Sequence, residues 1–466
     1  MFFKSNSNTN IPFLISSLFF LVFSIYQINL ENLWFDELMT LWITNPELSN
    51  DNTFNKVIEY ENTPPLYYFI VKFFFQIFGY NYELLRIPNV LFHFFSLFIF
   101  FLIIKKISTE IIFVYLALLL FSLNYFLISY VQEGRVYIFF CFTSLLFLNI
   151  YLNILLKDNQ INKFDILSLF LASLILINTF IFSFIILGTI FLYEFFFKKK
   201  NKKYFWINFA LFLSIIISGI VNFEFYKSIL QFKAVSITNP DIKFYLFNFF
   251  FKQYFGSKIM GYLFFLLFLF SIFFLLKKGK IKGHLLFLFF IIFFSYLIPI
   301  LYGYLFNPVL QDKYIIYIIP LILIFISYSI SQINSSKMKI YIFLFLIILS
   351  IANQSLKIFK KEIDKPQFVE ILKEIKNQSK SNIYIASFMD HKNELYNRLV
   401  DNYVSQIVRN NSLGFKDKIP GDNKFWVICY DPSNTYQYCI EKNALSINTS
   451  NEIRFYQTIA FLKYDN

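Results

Sequence analysis

Apolar stretches long enough to cross a bilayer recur from Ile11 to Ile351, and they fix the environment of this chain before any other feature does. A hydrocarbon layer about 30 Å thick takes about 20 residues of helix. Runs of that order are read at 11–30, 87–104, 110–128, 136–156, 164–178, 180–197, 204–222, 259–276, 284–303, 314–332 and 338–353, which makes eleven spans. With 57% hydrophobic and 15% charged residues over 466 positions, the composition excludes a soluble globular domain with an ordinary surface. The first run follows Lys4 and is followed by ENLWFDEL with no small-residue cleavage site, so it reads as a retained span and not as a cleaved signal peptide.

The formal charge of +13 raises the question of nucleic acid, but the lysines sit in short clusters between apolar runs, where they orient a membrane protein. One segment decides the sidedness. PPLYYFIVKFFFQIFG at 64–79 is apolar but short, opens with two prolines and contains Lys72. Read as an interfacial helix in a long first outer loop (31–86), it leaves the clusters at Lys105/Lys106, Lys157/Lys163, 198–203, 277–283 and Lys337/Lys339 all on the cytoplasmic side. Read as a span, it would place every one of them outside. The first reading puts the N-terminus inside and everything after the last span outside.

From about Gln354 the pattern changes. FVEILKEIKNQSKSNIYIASF (368–388) reads as an amphipathic helix followed by a strand, and FWVICYD (425–431) as a buried strand. The expected architecture is an all-α polytopic membrane bundle over 1–353 with a small extracytoplasmic α/β domain over 354–466. Cys429 and Cys439 lie ten apart in that tail, where pairing and two separate thiols are both open. No internal repeat, glycine-rich phosphate loop or Cys/His metal spacing occurs.

Ionisable residues collect at the expected outer ends of the spans: Asp36 and Glu37, Arg86, Glu133 and Arg135, and Asp312 with Lys313. Charge at such depths is costly unless it is paired or functional. Of the five arginines, the two in the membrane half, Arg86 and Arg135, lie at this outer side, away from the lysine clusters. A guanidinium fork suits bidentate phosphate contacts. The plainer alternative is a local ion pair, Arg135 with Glu133 for instance, and for Asp36–Glu37 a pair of solvated loop acids. His93 falls within a span, His284 at the cytoplasmic side and His391 in the tail, and each reads as structural.

Five segments in order, WFDE (34–37), NTPPLYY (62–68), FGYNYELLRIPNVL (78–91), ISYVQEGRVY (128–137) and DKYIIYIIP (312–320), resemble the GT-C glycosyltransferases of the family 39 type, which include the protein mannosyltransferases and aminoarabinose transferases. The resemblance covers most of the membrane half. It implies an outer-facing site with Asp36 as catalytic base beside Glu37, donor-phosphate contacts from Arg86, Arg135 and Lys313, and substrate contacts from Pro64, Pro65, Tyr67, Glu133, Tyr137 and Tyr314. It further implies a polyprenyl-phosphate sugar as donor, an extracytoplasmic glycan, lipid or protein as acceptor, inversion at the anomeric carbon, and no obligatory cofactor, a divalent metal being compatible. Thr63 stands where many relatives carry His or Lys, and Lys313 where many carry Arg. The rival class is a polytopic lipid or polysaccharide transporter or flippase, which places broken helices or charges near the midplane.

Overall fold

The computed structural model describes residues 10–157, 161–197, 202–231, 250–281, 283–306 and 308–359, and beyond these 365–378, 385–388, 398–399, 402–407, 424–430, 452–455 and 458–464. The helices are α1 (Ile11–Ile25), α2 (Phe35–Ile43), α3 (Asn50–Tyr60), α4 (Leu66–Phe78), α5 (Ile87–Ile107), α6 (Ile111–Ser122), α7 (Tyr125–Val131), α8 (Tyr137–Leu156) and α9 (Lys163–Ile177). They continue with α10 (Ser183–Phe197), α11 (Lys202–Val221), α12 (Phe223–Gln231), α13 (Phe250–Tyr254), α14 (Lys258–Lys277), α15 (Gly283–Leu305), α16 (Ile318–Ser331), α17 (Ser336–Phe359) and α18 (Phe368–Gln378). Four strands follow, β1 (Ile385–Phe388), β2 (Lys424–Tyr430), β3 (Glu452–Phe455) and β4 (Thr458–Tyr464).

Among the described residues six helices are long and apolar enough to cross a membrane, and the pair α6 and α7, bent by 47°, makes a seventh if it is one span. The sequence reads 110–128 as one straight run. The break falls where Asn124 caps α7: its side chain accepts from the Leu127 N–H at 3.0 Å and donates to the Tyr254 carbonyl at 2.9 Å, so the polar groups freed by the bend are satisfied inside the protein.

The chain divides into two compact units that do not follow a single cut at 353/354: Met1–Tyr26, Asn50–Ile70 and Ile87–Lys360 form the first, and Gln27–Ser49, Val71–Arg86 and Lys361–Asn466 the second. The first outer loop is therefore shared between them.

In the first unit α16 is the centre. Every residue from Ile318 to Ser331 is buried, as expected of a helix that is apolar all round. Helices α6, α14 and α15 pack on it, and α5 packs on α8, which packs on α9. The outermost helices show the reverse: Phe195, Ile259 and Phe359 are 78%, 79% and 76% exposed, an apolar surface suited to lipid. At one end the lysines knit the helices together. Lys106 bonds Asn149, Lys203 the Lys157 carbonyl at 2.6 Å, Lys278 the Gln332 carbonyl at 2.7 Å, and Lys339 pairs with Glu110 at 2.7 Å.

Gly261 lets α13 lie against α14. A Cβ there would stand 2.7 Å from the Lys252 backbone nitrogen and 2.8 Å from its Cα, atoms that no rotamer change can move. Gly261→Ala is expected to destabilise the protein by about 1–3 kcal/mol, the usual cost of overpacking, read as an earlier unfolding midpoint in detergent.

In the second unit α18 buries Phe368, Ile371, Leu372 and Ile375, the helical i, i+3, i+4, i+7 face, and packs on β3 and β4. The sheet order is β1-β2-β4-β3: β1 runs parallel to β2 (Ile385 opposite Trp426), and β4 antiparallel to both β2 (Val427 opposite Phe461) and β3 (Arg454 opposite Ile459). Cys439 and His391 lie outside the described residues, so the pairing of Cys429 with Cys439 lies outside them too.

Candidate functional site

The residues singled out from the sequence fall in both units. Asp36, Glu37 and Arg86 belong to the second, and Pro64, Pro65, Tyr67, Glu133, Arg135, Tyr137, Lys313 and Tyr314 to the first.

In the second unit α2 starts at Phe35, so Asp36 and Glu37 occupy its first turn, where unpaired amides and the helix dipole favour negative charge. Glu37 is completely buried and its carboxylate accepts from the Trp34 N–H at 3.4 Å, turning back over the helix start. Asp36, half-buried beside it, accepts the Thr40 hydroxyl on its backbone carbonyl at 3.1 Å. Arg86, 2% exposed, meets Glu37 as a fork: Nε to Oε1 and Nη2 to Oε2, both 2.8 Å. Its remaining N–H groups reach the carbonyls of Ile28 (2.6 Å), Glu31 (2.9 Å) and Asn32 (3.3 Å). A guanidinium has five N–H donors, and all five are engaged here. In this arrangement Arg86 holds the segment before α2 to the start of that helix.

In the first unit Arg135 is the corresponding buried arginine. The carboxylate in its fork is Glu61, 74 residues upstream, with Nη1 to Oε1 at 2.6 Å and Nη2 to Oε2 at 3.0 Å, where the sequence had offered Glu133. Glu61 was missed because it stands one residue before the NTPPLYY motif as read. An acid abutting a motif was the available signal.

The turn that carries Arg135 is itself fixed. Asn89 donates to the carbonyls of Glu133 and Arg135, the latter at 2.8 Å, and accepts from the Tyr67 hydroxyl at 3.3 Å, linking α4, α5 and the α7–α8 turn. Pro64 and Pro65 are buried at the start of α4, where a fixed φ favours helix initiation. Tyr68 is buried next to Glu61 and hydrogen bonded to Thr63 at 3.0 Å. Burial, then the Glu61 carboxylate, push its hydroxyl well above the usual phenol range, so it stays protonated.

Farther along, Lys313 places its ammonium 5.0 Å over the Tyr137 ring, and Tyr314 lies against Tyr137, Phe180 and Phe182 at 6.1, 5.2 and 5.3 Å. Tyr137 is buried and Lys313, Tyr314 and Glu133 are half-buried. Burial raises the Asp312 carboxyl above its ordinary range, partly opposed by the bond from the Lys313 amide and by the Lys313 charge. His93, read as structural, is stacked on Phe121 at 4.9 Å with neither ring nitrogen hydrogen bonded among the described residues. Also among the described residues, no three His, Cys, Asp or Glu side chains gather as a metal site.

No family model matches the sequence, and neither does any curated protein. Solved structures do. ArnT from Cupriavidus metallidurans bound to undecaprenyl phosphate superposes with a TM-score of 0.55 at 8% identity, covering 96% of this chain and 97% of that one. Its apo structure gives 0.57 at 9% identity, covering 97% of each. The chain has the fold of ArnT. At these identities the likeness is one of fold, and it spans both units from end to end. Six apolar helices of spanning length among the described residues, seven with the bent pair, make this a multi-pass membrane protein.

Proposed function

We propose that this chain is a GT-C glycosyltransferase that takes a sugar from a polyprenyl-phosphate donor and passes it to an extracytoplasmic acceptor. The observation that carries this reading is a full-length fold match to a protein solved with undecaprenyl phosphate in place. The ordered motifs support it independently. The cell membrane is the proposed location, with eleven spans, the N-terminus cytoplasmic and the C-terminal segment outside.

Asp36 takes the proton of the acceptor hydroxyl as its oxygen forms the new bond to the anomeric carbon, while the bond from that carbon to the phosphate oxygen breaks with inversion. The electron pair leaves with the phosphate. Arg135 and Lys313 oppose the charge growing there, an electrostatic effect that is strongest where water is scarce. Arg135 already grips one anion, Glu61, so a phosphate arriving at its fork exchanges one anionic partner for another. Arg86 is assigned to holding Glu37 and the helix start. No cofactor is obligatory in this reading, and a divalent metal is compatible with it.

A flippase reading is favoured by one observation, the break between α6 and α7. One assay separates the two. The purified protein is incubated in nanodiscs with a panel of undecaprenyl-phosphate sugars and a mixture of cell-envelope acceptors. Release of undecaprenyl phosphate from one member of the panel is expected; translocation of intact donor without cleavage overturns the enzyme reading.

A further inference from the structure

The C-terminal segment is built into the loop that carries Asp36. Lys365 lies 3.5 Å from the Glu37 carboxylate and 3.8 Å from that of Glu31, with its ammonium 6.0 Å over the Trp34 ring. Glu31, Glu37 and Arg86 are 7%, 0% and 2% exposed, and the Lys365 side chain 13%. Two carboxylates and two cations thus form a buried cluster of zero net charge. Arg86 is matched to Glu37 through both oxygens, and Lys365 brings the second positive charge within 3.8 Å of Glu31; buried charge persists only when it is paired.

The approach to α2 is held from the same segment. Tyr403 donates to the Asn32 side-chain oxygen at 3.2 Å and accepts from the Leu33 N–H at 3.3 Å. Asn32 in turn donates to Glu370 at 2.7 Å and accepts from the Val369 N–H at 2.9 Å. At the other end of α2, Asn402 donates to the Tyr80 hydroxyl at 3.1 Å, which donates to the Leu41 carbonyl at 2.9 Å. The approach to α2 is therefore fixed by Tyr403, and its far end by Tyr80, which Asn402 holds in turn.

We infer that Lys365 is a positioning residue for Asp36: by completing the charge balance beneath the first turn of α2, it sets the orientation of the carboxylate next to Glu37. The inference rests on the reading of Asp36 as base. Lys365 touches no reacting atom. Its loss acts through α2, and the C-terminal segment becomes a working part of the catalytic loop.

The test uses the full chain in nanodiscs, with Lys365→Met, Lys365→Arg and Asp36→Asn beside the wild type. With the undecaprenyl-phosphate sugar that the panel shows to be consumed, Lys365→Met is expected to lower kcat by ~10–100-fold with KM for the donor within about twofold, the loss typical of a displaced catalytic group. Lys365→Arg restores most of it, because a guanidinium can carry the same charge to both carboxylates. Hydrogen exchange needs no donor: amides of 35–43 should exchange at least about tenfold faster in Lys365→Met, with those of α8 unchanged. Wild-type kcat together with unchanged exchange in α2 overturns the inference, as does a kcat loss that Lys365→Arg shares in full. Failure of the underlying reading is separate, since it shows as an Asp36→Asn protein that turns over normally.

Discussion

Asp36→Asn protein, folded and in membranes, is expected to lose turnover by ~10²–10⁴-fold, the usual contribution of a general base, while its affinity for undecaprenyl phosphate stays within about twofold of wild type. The substitution keeps the shape of the side chain and its place in the first turn of α2, and removes the capacity to take a proton. The buried Glu37 next to it cannot substitute, because both of its oxygens are held by Arg86. Measuring kcat and undecaprenyl phosphate binding on the same preparation separates the two steps. Near wild-type kcat in that preparation removes Asp36 from the chemistry.

The second large effect concerns stability. Arg86→Met should destabilise the protein by about 3–5 kcal/mol, the cost of leaving a buried carboxylate without its partner. Three carbonyls, those of Ile28, Glu31 and Asn32, would also lose a donor. Adding Glu37→Met to Arg86→Met is expected to recover part of that loss, since replacing a buried pair by apolar side chains removes the uncompensated charge. The comparison is made by denaturant unfolding in detergent. If the single variant unfolds like wild type, the clasp described for Arg86 does not support the fold. Arg86→Lys should behave nearly as badly as Arg86→Met, because three donors on a flexible stem cannot replace five in a fixed fork.

These expectations differ from what the sequence offered in an instructive way. The motif around Arg86 marks it for donor-phosphate contact, and the structure shows its five donors engaged by Glu37 and three backbone carbonyls. The two arginines look equivalent along the chain, each at the outer end of an apolar run. In three dimensions one has five donors engaged by a carboxylate and three carbonyls, and the other is gripped through its fork by Glu61. Nothing in the local pattern around Arg135 distinguishes Glu61 from Glu133, which is nearer in sequence. Tertiary approach of the segment before α4 makes the choice.

The residues that were legible early are those whose signal is local. Apolar run length located helices in the segments read as spans, six of them long and apolar enough to cross a membrane and α6 with α7 a seventh if they are one span, because a helix in lipid must satisfy its own backbone and therefore needs a continuous apolar stretch. Lysine placement located the ends that knit together through Lys106, Lys203, Lys278 and Lys339. The bend at Asn124 was not read, although its residue type is a strong helix cap, because the hydropathy of Ile111–Val131 runs through it without a gap.

The sequence by itself determined that this chain lives in a membrane, roughly where its helices lie, and which charged residues merit attention, since each of these follows from the chemistry of neighbouring residues. Only the tertiary structure decided which charges are matched: Arg86 with Glu37, Arg135 with Glu61, and Lys365 with the pair beneath Asp36, across 49, 74 and 328 positions. Partnership between buried ions depends on side chains converging from distant elements at hydrogen-bonding distance, and no periodicity or motif along one dimension encodes that separation.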